Sequence, residues 1–149
     1  MVIVGVGVVA VLELLAAGSL SNATGTELTT AVNLANNIHE ISIGLPFTDS
    51  GSPTSASTKE GGGVTAYNDL WDLNGDTYSP PLDVQRHAIA GYTNWSQQVT
   101  VATVDPTNVN STHNGWADPT QPTARVTVTI THNGKFIYSA SWLVTAPNN

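Results

Sequence analysis

The sequence predicts an α+β fold, a long N-terminal α-helix packed on a C-terminal antiparallel β-meander, and three observations predict it. The first seventeen residues, MVIVGVGVVAVLELLAA, are apolar except for Glu13. They run directly into a segment that keeps helical periodicity as far as Gly44. The last third of the chain alternates apolar and polar residues at strand period, with a hairpin turn signal between two of the runs.

The helix comes first. Through Leu12 every face is apolar, so burial must surround it, by lipid or by copies of itself. Seventeen residues reach roughly 25 Å, slightly short of a bilayer core. No Lys or Arg precedes the run, which excludes an ordinary secretory signal, and the flanking Lys, Arg, Trp and Tyr of a plain anchor are missing. We therefore expect a helix that begins in membrane and ends in the core of a protein polymer. Val4, Val8, Val11, Leu12, Leu14 and Leu15 supply its buried surface, and Glu13 lies where the apolar stretch ends. Beyond Gly18, residues Leu20, Leu28, Val32, Leu34, Ala35, Ile38 and Ile41 follow three-and-four spacing, with Ser, Thr and Asn opposite. Gly44 and Pro46 stop the helix, which thus spans residues 1–44.

Residues 45–97 form a connecting region. Its first part, 45–63, reads as a Ser/Thr/Gly/Pro linker, and residues 64–97 as an ordered loop packed down by aromatics, with short strands. Residues 98–149 form the sheet. QQVTVATV and ARVTVTITH alternate, and Asn133-Gly134 is a type I′ turn signal leading into KFIYSASWLV. Simple pairing across that turn places Val126, Val128 and Ile130 on one face with Ile137 and Leu143, facing the helix. Thr127, Thr129, Thr131, Phe136, Tyr138 and Trp142 then fall on the other face, covered by the aromatic loop or a neighbouring subunit. Residues 105–123 read as a polar excursion, whose Trp116 is the best exposed contact.

Composition narrows the function. Four Lys/Arg against eleven Asp/Glu give a net charge of −7, which argues against nucleic acid and against polybasic lipid attachment. There is no cysteine, so neither disulfides nor thiolate metal sites hold the fold. The sequons at Asn22, Asn94 and Asn110 read as chance matches in a chain rich in Asn, Thr and Ser. His39, His87, His113 and His132 are scattered without metal-ligand spacing, and no nucleophile elbow or phosphate cradle is present, so no enzyme activity and no resident cofactor are expected. Asp72, Asn74 and Asp76 offer oxygens at alternate positions, as a calcium loop does, with Asp83 at the twelfth. Position six is Thr77 rather than glycine, and Asp-Leu-Asn-Gly-Asp is equally ordinary turn chemistry.

Three stretches, VGVGVVAVLELLAAGSLSNATGTELTTAVNLANNI, DLWDLNGDTYSPP with GYTNWSQQVTV, and RVTVTITHNGKFIYSASWLVT, cover about half the chain. In this order they resemble type IV pilins and the pseudopilins of type II secretion, the helix most specifically. The resemblance implies a pilin-like fold and a structural subunit of an extracellular filament. Such a subunit sits in the cytoplasmic membrane before assembly and has copies of itself, and other pilins, as partners. It also implies a glutamate near the mature N-terminus that meets a neighbour's terminal amine. Gly5 stands where that acid would fall, so we expect about nine further residues ahead of Met1, which would bring the apolar stretch to a membrane-spanning length. Some major pseudopilins hold a loop calcium, which bears on the Asp72 loop. The alternative reading is a monomeric membrane-tethered surface β-domain acting as an adhesin or ligand-binding module.

Overall fold

The N-terminal helix, α1, runs as one α-helix over Val2–Gly44, 43 residues. At about 1.5 Å per residue its path is roughly 65 Å long. The computed structural model describes residues 2–48, 59, 62–113 and 123–146, and describes side chains from Asn22 onward with the exception of His113. Helix formation ends where Pro46, which lacks an N–H, biases Leu45 out of the helical region. The carbonyl of Pro46 instead accepts from Leu70 N at 2.9 Å, tying the helix end to the connecting loop.

The C-terminal half of α1 buries Ala31, Leu34, Ala35, Ile38, Ile41 and Ser42. These positions share one arc of the helix because they recur at three and four residues. Leu28, expected on the apolar face, is instead 46% exposed, and Val32 is half-buried. Both lie on the flank of the arc centred on Ala31 and Ile38. Leu45 and Phe47 are also buried, so the stretch that reads as a linker starts inside the core. The Phe47 ring meets Trp71 edge-on at 5.9 Å between centroids.

The sheet has five antiparallel strands: β1 (Thr77–Tyr78), β2 (Trp95–Asp105), β3 (Asn108–His113), β4 (Thr123–His132) and β5 (Lys135–Thr145). The order is β1-β2-β4-β5, and β3 also pairs with β2. Thr103 pairs with Ala124 on one side and His113 on the other, so β3 lies on the same side of β2 as β1. The stretch 105–123, read from the sequence as an excursion, therefore contains the strand β3. Its turn is set by Asp105, whose carboxylate accepts from Thr107 N and Oγ1, both at 2.7 Å. Trp116 lies outside the described residues.

Strands β4 and β5 join at Asn133-Gly134, with φ of 51° and 73°. Two positive φ values are what a type I′ turn requires, and Asn and Gly accept them most readily. His132 pairs with Lys135 and Thr131 with Phe136, as a two-residue turn dictates. The register then shifts: Ile130 pairs with Tyr138, not Ile137. Ile137 is the extra residue of a β-bulge. Because side chains alternate with period two, this single insertion exchanges the faces of everything after it. Leu143 consequently leaves the helix-facing side and is 48% exposed opposite Arg125. Tyr138, Ala140, Trp142 and Val144 take the inner positions opposite Ile130, Val128, Val126 and Ala124. Ile137 itself still packs on the core.

The inner face therefore carries Gln97, Val99, Val101 and Thr103 of β2 with Ala124, Val126, Val128 and Ile130 of β4, all buried. The helix covers this face, mainly across β4 and β5. Trp142 shows why the bulge matters. Its indole Nε1 donates to Ser42 Oγ at 2.9 Å, and Ser42 Oγ donates to His39 O at 2.7 Å. The His39 ring meets the indole edge-on at 5.0 Å. Trp142→Phe should cost about 1 kcal/mol for the lost bond, beyond the loss of ring volume. In a double-mutant cycle measured by denaturant unfolding, Ser42→Ala should then cost less in the Trp142→Phe background than in the parent.

The outer face carries polar pairs across its strands: Ser96 and Thr131 share a 2.7 Å hydrogen bond, and Thr127 and Ser141 one of 2.9 Å. The aromatic loop does not cover it. That loop turns inward, burying Tyr67, Leu70, Trp71, Leu73 and Leu82 in the core with α1.

Candidate functional site

The sequence nominates two sites, the apolar head of α1 and the acidic loop. Val4, Val8, Val11, Leu12, Glu13, Leu14 and Leu15 all lie on the continuous helix Val2–Gly44, and their side chains fall outside the described residues. Toward the apolar head, α1 is tied to the sheet at Glu27, whose carboxylate pairs with His132 Nδ1 at the end of β4. About 37 Å of helix path separates Val2 from Glu27. Among the described residues, no helix is long and apolar enough to cross a membrane.

The Glu27–His132 contact sits where the helix leaves the sheet. His132 is the cross-strand neighbour of Trp95, and the two rings stack at 4.2 Å with planes 10° apart. Trp95 in turn leans on Tyr92, at 6.3 Å. Beside them opens a groove of about 620 Å³, lined by Ala23, Thr24, Thr26, Glu27, Thr30, Trp95 and His132. This stacked pair, with one carboxylate clamped to it, ties α1 to the end of β4 at Glu27.

In the acidic loop, each side chain that could offer oxygen to a cation also has a protein partner. A short 3₁₀ turn, Leu70–Leu73, is capped reciprocally. Asp69 Oδ1 accepts from Trp71 N at 2.7 Å and Asp72 N at 3.2 Å, while Asp72 Oδ2 accepts from Asn68 N at 3.0 Å and Asp69 N at 3.2 Å. This arrangement is a capping box, in which two side chains satisfy the amides that a helical start leaves open. Asn74 Oδ1 accepts from Val101 N at 2.9 Å, fastening the turn to β2. Asp83 Oδ1 accepts from Gln85 N at 3.0 Å and His87 N at 2.8 Å in a turn of its own. Among the described residues, no group of three or more His, Cys, Asp or Glu is placed to hold a metal ion. Asp72, Asn74 and Asp76 each fasten part of the loop.

Asp76 is the most engaged of them. Its Oδ2 accepts from Tyr67 Oη at 2.6 Å and Tyr78 Oη at 2.9 Å, and its Oδ1 pairs with Lys59 Nζ. The Lys59 ammonium also lies 5.4 Å from the centre of the Tyr67 ring. Arg86 Nη1 donates to the carbonyl of Tyr67 at 2.8 Å and closes the cluster. Burial holds the Tyr78 phenol well above the usual tyrosine range, and its hydrogen bond and charge contact with Asp76 push the same way. The folded state therefore keeps this proton after the unfolded chain has begun to lose it, near pH 10. Unfolding releases a proton there, so stability falls as pH rises above about 10. Tyr78→Phe should flatten that fall when stability is followed by denaturant titration from pH 8 to 11.

Gln97 is the functional position that motif reading passes over. It is buried, and Nε2 donates to Leu34 O at 2.8 Å on the helix and Leu82 O at 3.2 Å on the loop. Its Oε1 accepts from Leu82 N at 2.6 Å. One side chain thus ties helix, loop and sheet. The signal is present in QQVTVATV: Gln97 is in phase with Val99 and Val101, and an inward polar residue demands partners.

Compared with protein-family models, with curated proteins and with solved structures, the chain matches none.

Proposed function

We propose that this chain is a pilin-like structural subunit of an extracellular type IV pilus-like filament or pseudopilus, assembling through its N-terminal helix. One observation carries the reading: the helix that packs on the sheet through Ala31–Ser42 continues unbroken back to Val2 through an apolar head far longer than the domain's core requires. A helix apolar on every face needs burial on every face. A polymer whose centre is built from such heads supplies it without exposing them to water, with the sheet as the outer layer. Before assembly the cytoplasmic membrane would supply the same burial, so the partners are lipid first and copies of the chain afterwards. The Glu27–His132 ion pair supports the reading, because it ties α1 to the end of β4 while the apolar head continues beyond it.

Electron microscopy of native surface material tests this. Regular filaments whose subunit mass matches this chain of 15.6 kDa are the expected result. Monodisperse detergent-solubilised monomers, with no filament under any assembly condition, would overturn it and favour the tethered surface domain.

A further inference from the structure

The free edge of the sheet is left unused by helix burial. β5 pairs with β4 on one side and is terminal in the strand order; among the described residues nothing pairs with its other side. Natural sheet edges are guarded by charge, proline or bulges. On β5 these guards stand together at one end: Lys135 is the one charged residue of the strand, and the bulge lies at Ile137. From Tyr138 to Thr145 the edge is neutral and free of proline. It offers alternating N–H and C=O groups, which another extended strand satisfies best.

The side chains of β5 select that strand. Phe136 is 65% exposed and Leu143 48% exposed. Both stand on the outer face, near opposite ends of the strand, Phe136 opposite Thr131 and Leu143 opposite Arg125. Antiparallel pairing of two identical strands about a two-fold axis reverses one against the other. Each Leu143 is thereby brought opposite Ile137 of the second copy, next to its Phe136, so both exposed side chains gain cover. With the axis at Ala140, Ser139 faces Ser141 of the second copy on the outer side, and Tyr138 faces its Trp142 on the inner side. No acidic residue lies on β5, so two chains of net charge −7 meet there without direct repulsion.

We propose that two copies of this chain join by antiparallel β5–β5 pairing centred on Ala140, continuing one sheet across both domains. A two-fold contact does not repeat within a polar filament, whose subunits are related head to tail. The β5 contact therefore links subunits of different filaments, or free subunits, and stands apart from helix burial.

The chain has no cysteine, so introduced thiols report cleanly. Full-length protein carrying S139C and S141C, oxidised in detergent solution, should form disulfide-linked dimers. A control carrying Q98C and T100C, on the outer face of β2, should not. Adding L143K should reduce the dimer roughly tenfold, the equivalent of about 1.4 kcal/mol. In the unsubstituted protein, hydrogen exchange at β5 amides should slow as concentration rises. Equal cross-linking of the two thiol pairs, edge dimers indifferent to L143K, or concentration-independent exchange along β5 would each overturn the proposal.

Discussion

Leu12→Asp should abolish filament formation while leaving the β-domain folded. Leu12 lies in the stretch where every helix face is apolar, so no rotation of the helix can turn an acid toward water. A carboxylate at the centre of an apolar helix in lipid costs about 3 kcal/mol on insertion scales. A comparable cost per subunit in the filament core lowers each addition step by more than a hundredfold, since about 1.4 kcal/mol is tenfold. Asn33→Asp is the matched control: it makes the same change in charge on an exposed turn of the same helix. Filament length and yield by electron microscopy, with near-ultraviolet circular dichroism of the tryptophans as the folding check, separate the two. Filaments of normal yield from Leu12→Asp would remove helix burial as the assembly force.

Gln97→Leu should be strongly destabilising for a change that nearly conserves volume. The substitution fits the volume but strips Leu82 N of its 2.6 Å acceptor in a site with no exposure. Leu82 O keeps the 3.0 Å bond from Asn37 Nδ2, so the loop loses part of its anchorage, not all. An orphaned buried donor, together with the lost tie to Leu34 O, amounts to about 2–4 kcal/mol. For a chain of this size that is a fall in Tm of roughly 5–12 °C. Gln97→Glu is the sharper variant. Its carboxyl would face the carbonyls of Leu34 and Leu82, both acceptors, so the folded state holds it protonated. The unfolded chain ionises near pH 4.3, and stability should fall by up to about 1.4 kcal/mol per pH unit above that value. A pH-independent loss of the size seen for Leu would show that Gln97 acts by shape and not by its hydrogen bonds.

The long helix and its stop are legible in the sequence because both depend on local chemistry. Apolar spacing continues through Gly18, and Gly44 with Pro46 breaks it. Asn133-Gly134 marks the hairpin for the same reason, since its backbone conformation belongs to two residues. Leu28 and Leu143 depart from the periodic expectation because their environments are set from elsewhere. Leu28 lies on the flank of an arc whose centre the sheet chooses. Leu143 is turned outward by one inserted residue, Ile137, that alternation alone does not reveal. The oxygens of Asp72, Asn74 and Asp76 are visible in sequence, while their partners Asn68, Val101, Tyr67, Tyr78 and Lys59 come together only on folding.

Local pattern thus accounts for the helix, its all-round apolar head, and the antiparallel arrangement of the strands, because periodicity and turn residues act over a few positions. Three things wait for the assembled domain: which face of β5 meets the helix, which polar side chain locks the three parts together, and which strand edge stays open. Those depend on register and on contacts between residues as distant as Leu34 and Gln97, or Glu27 and His132. No local preference encodes a one-residue shift whose consequence, Trp142 seated against Ser42, involves a residue one hundred positions away.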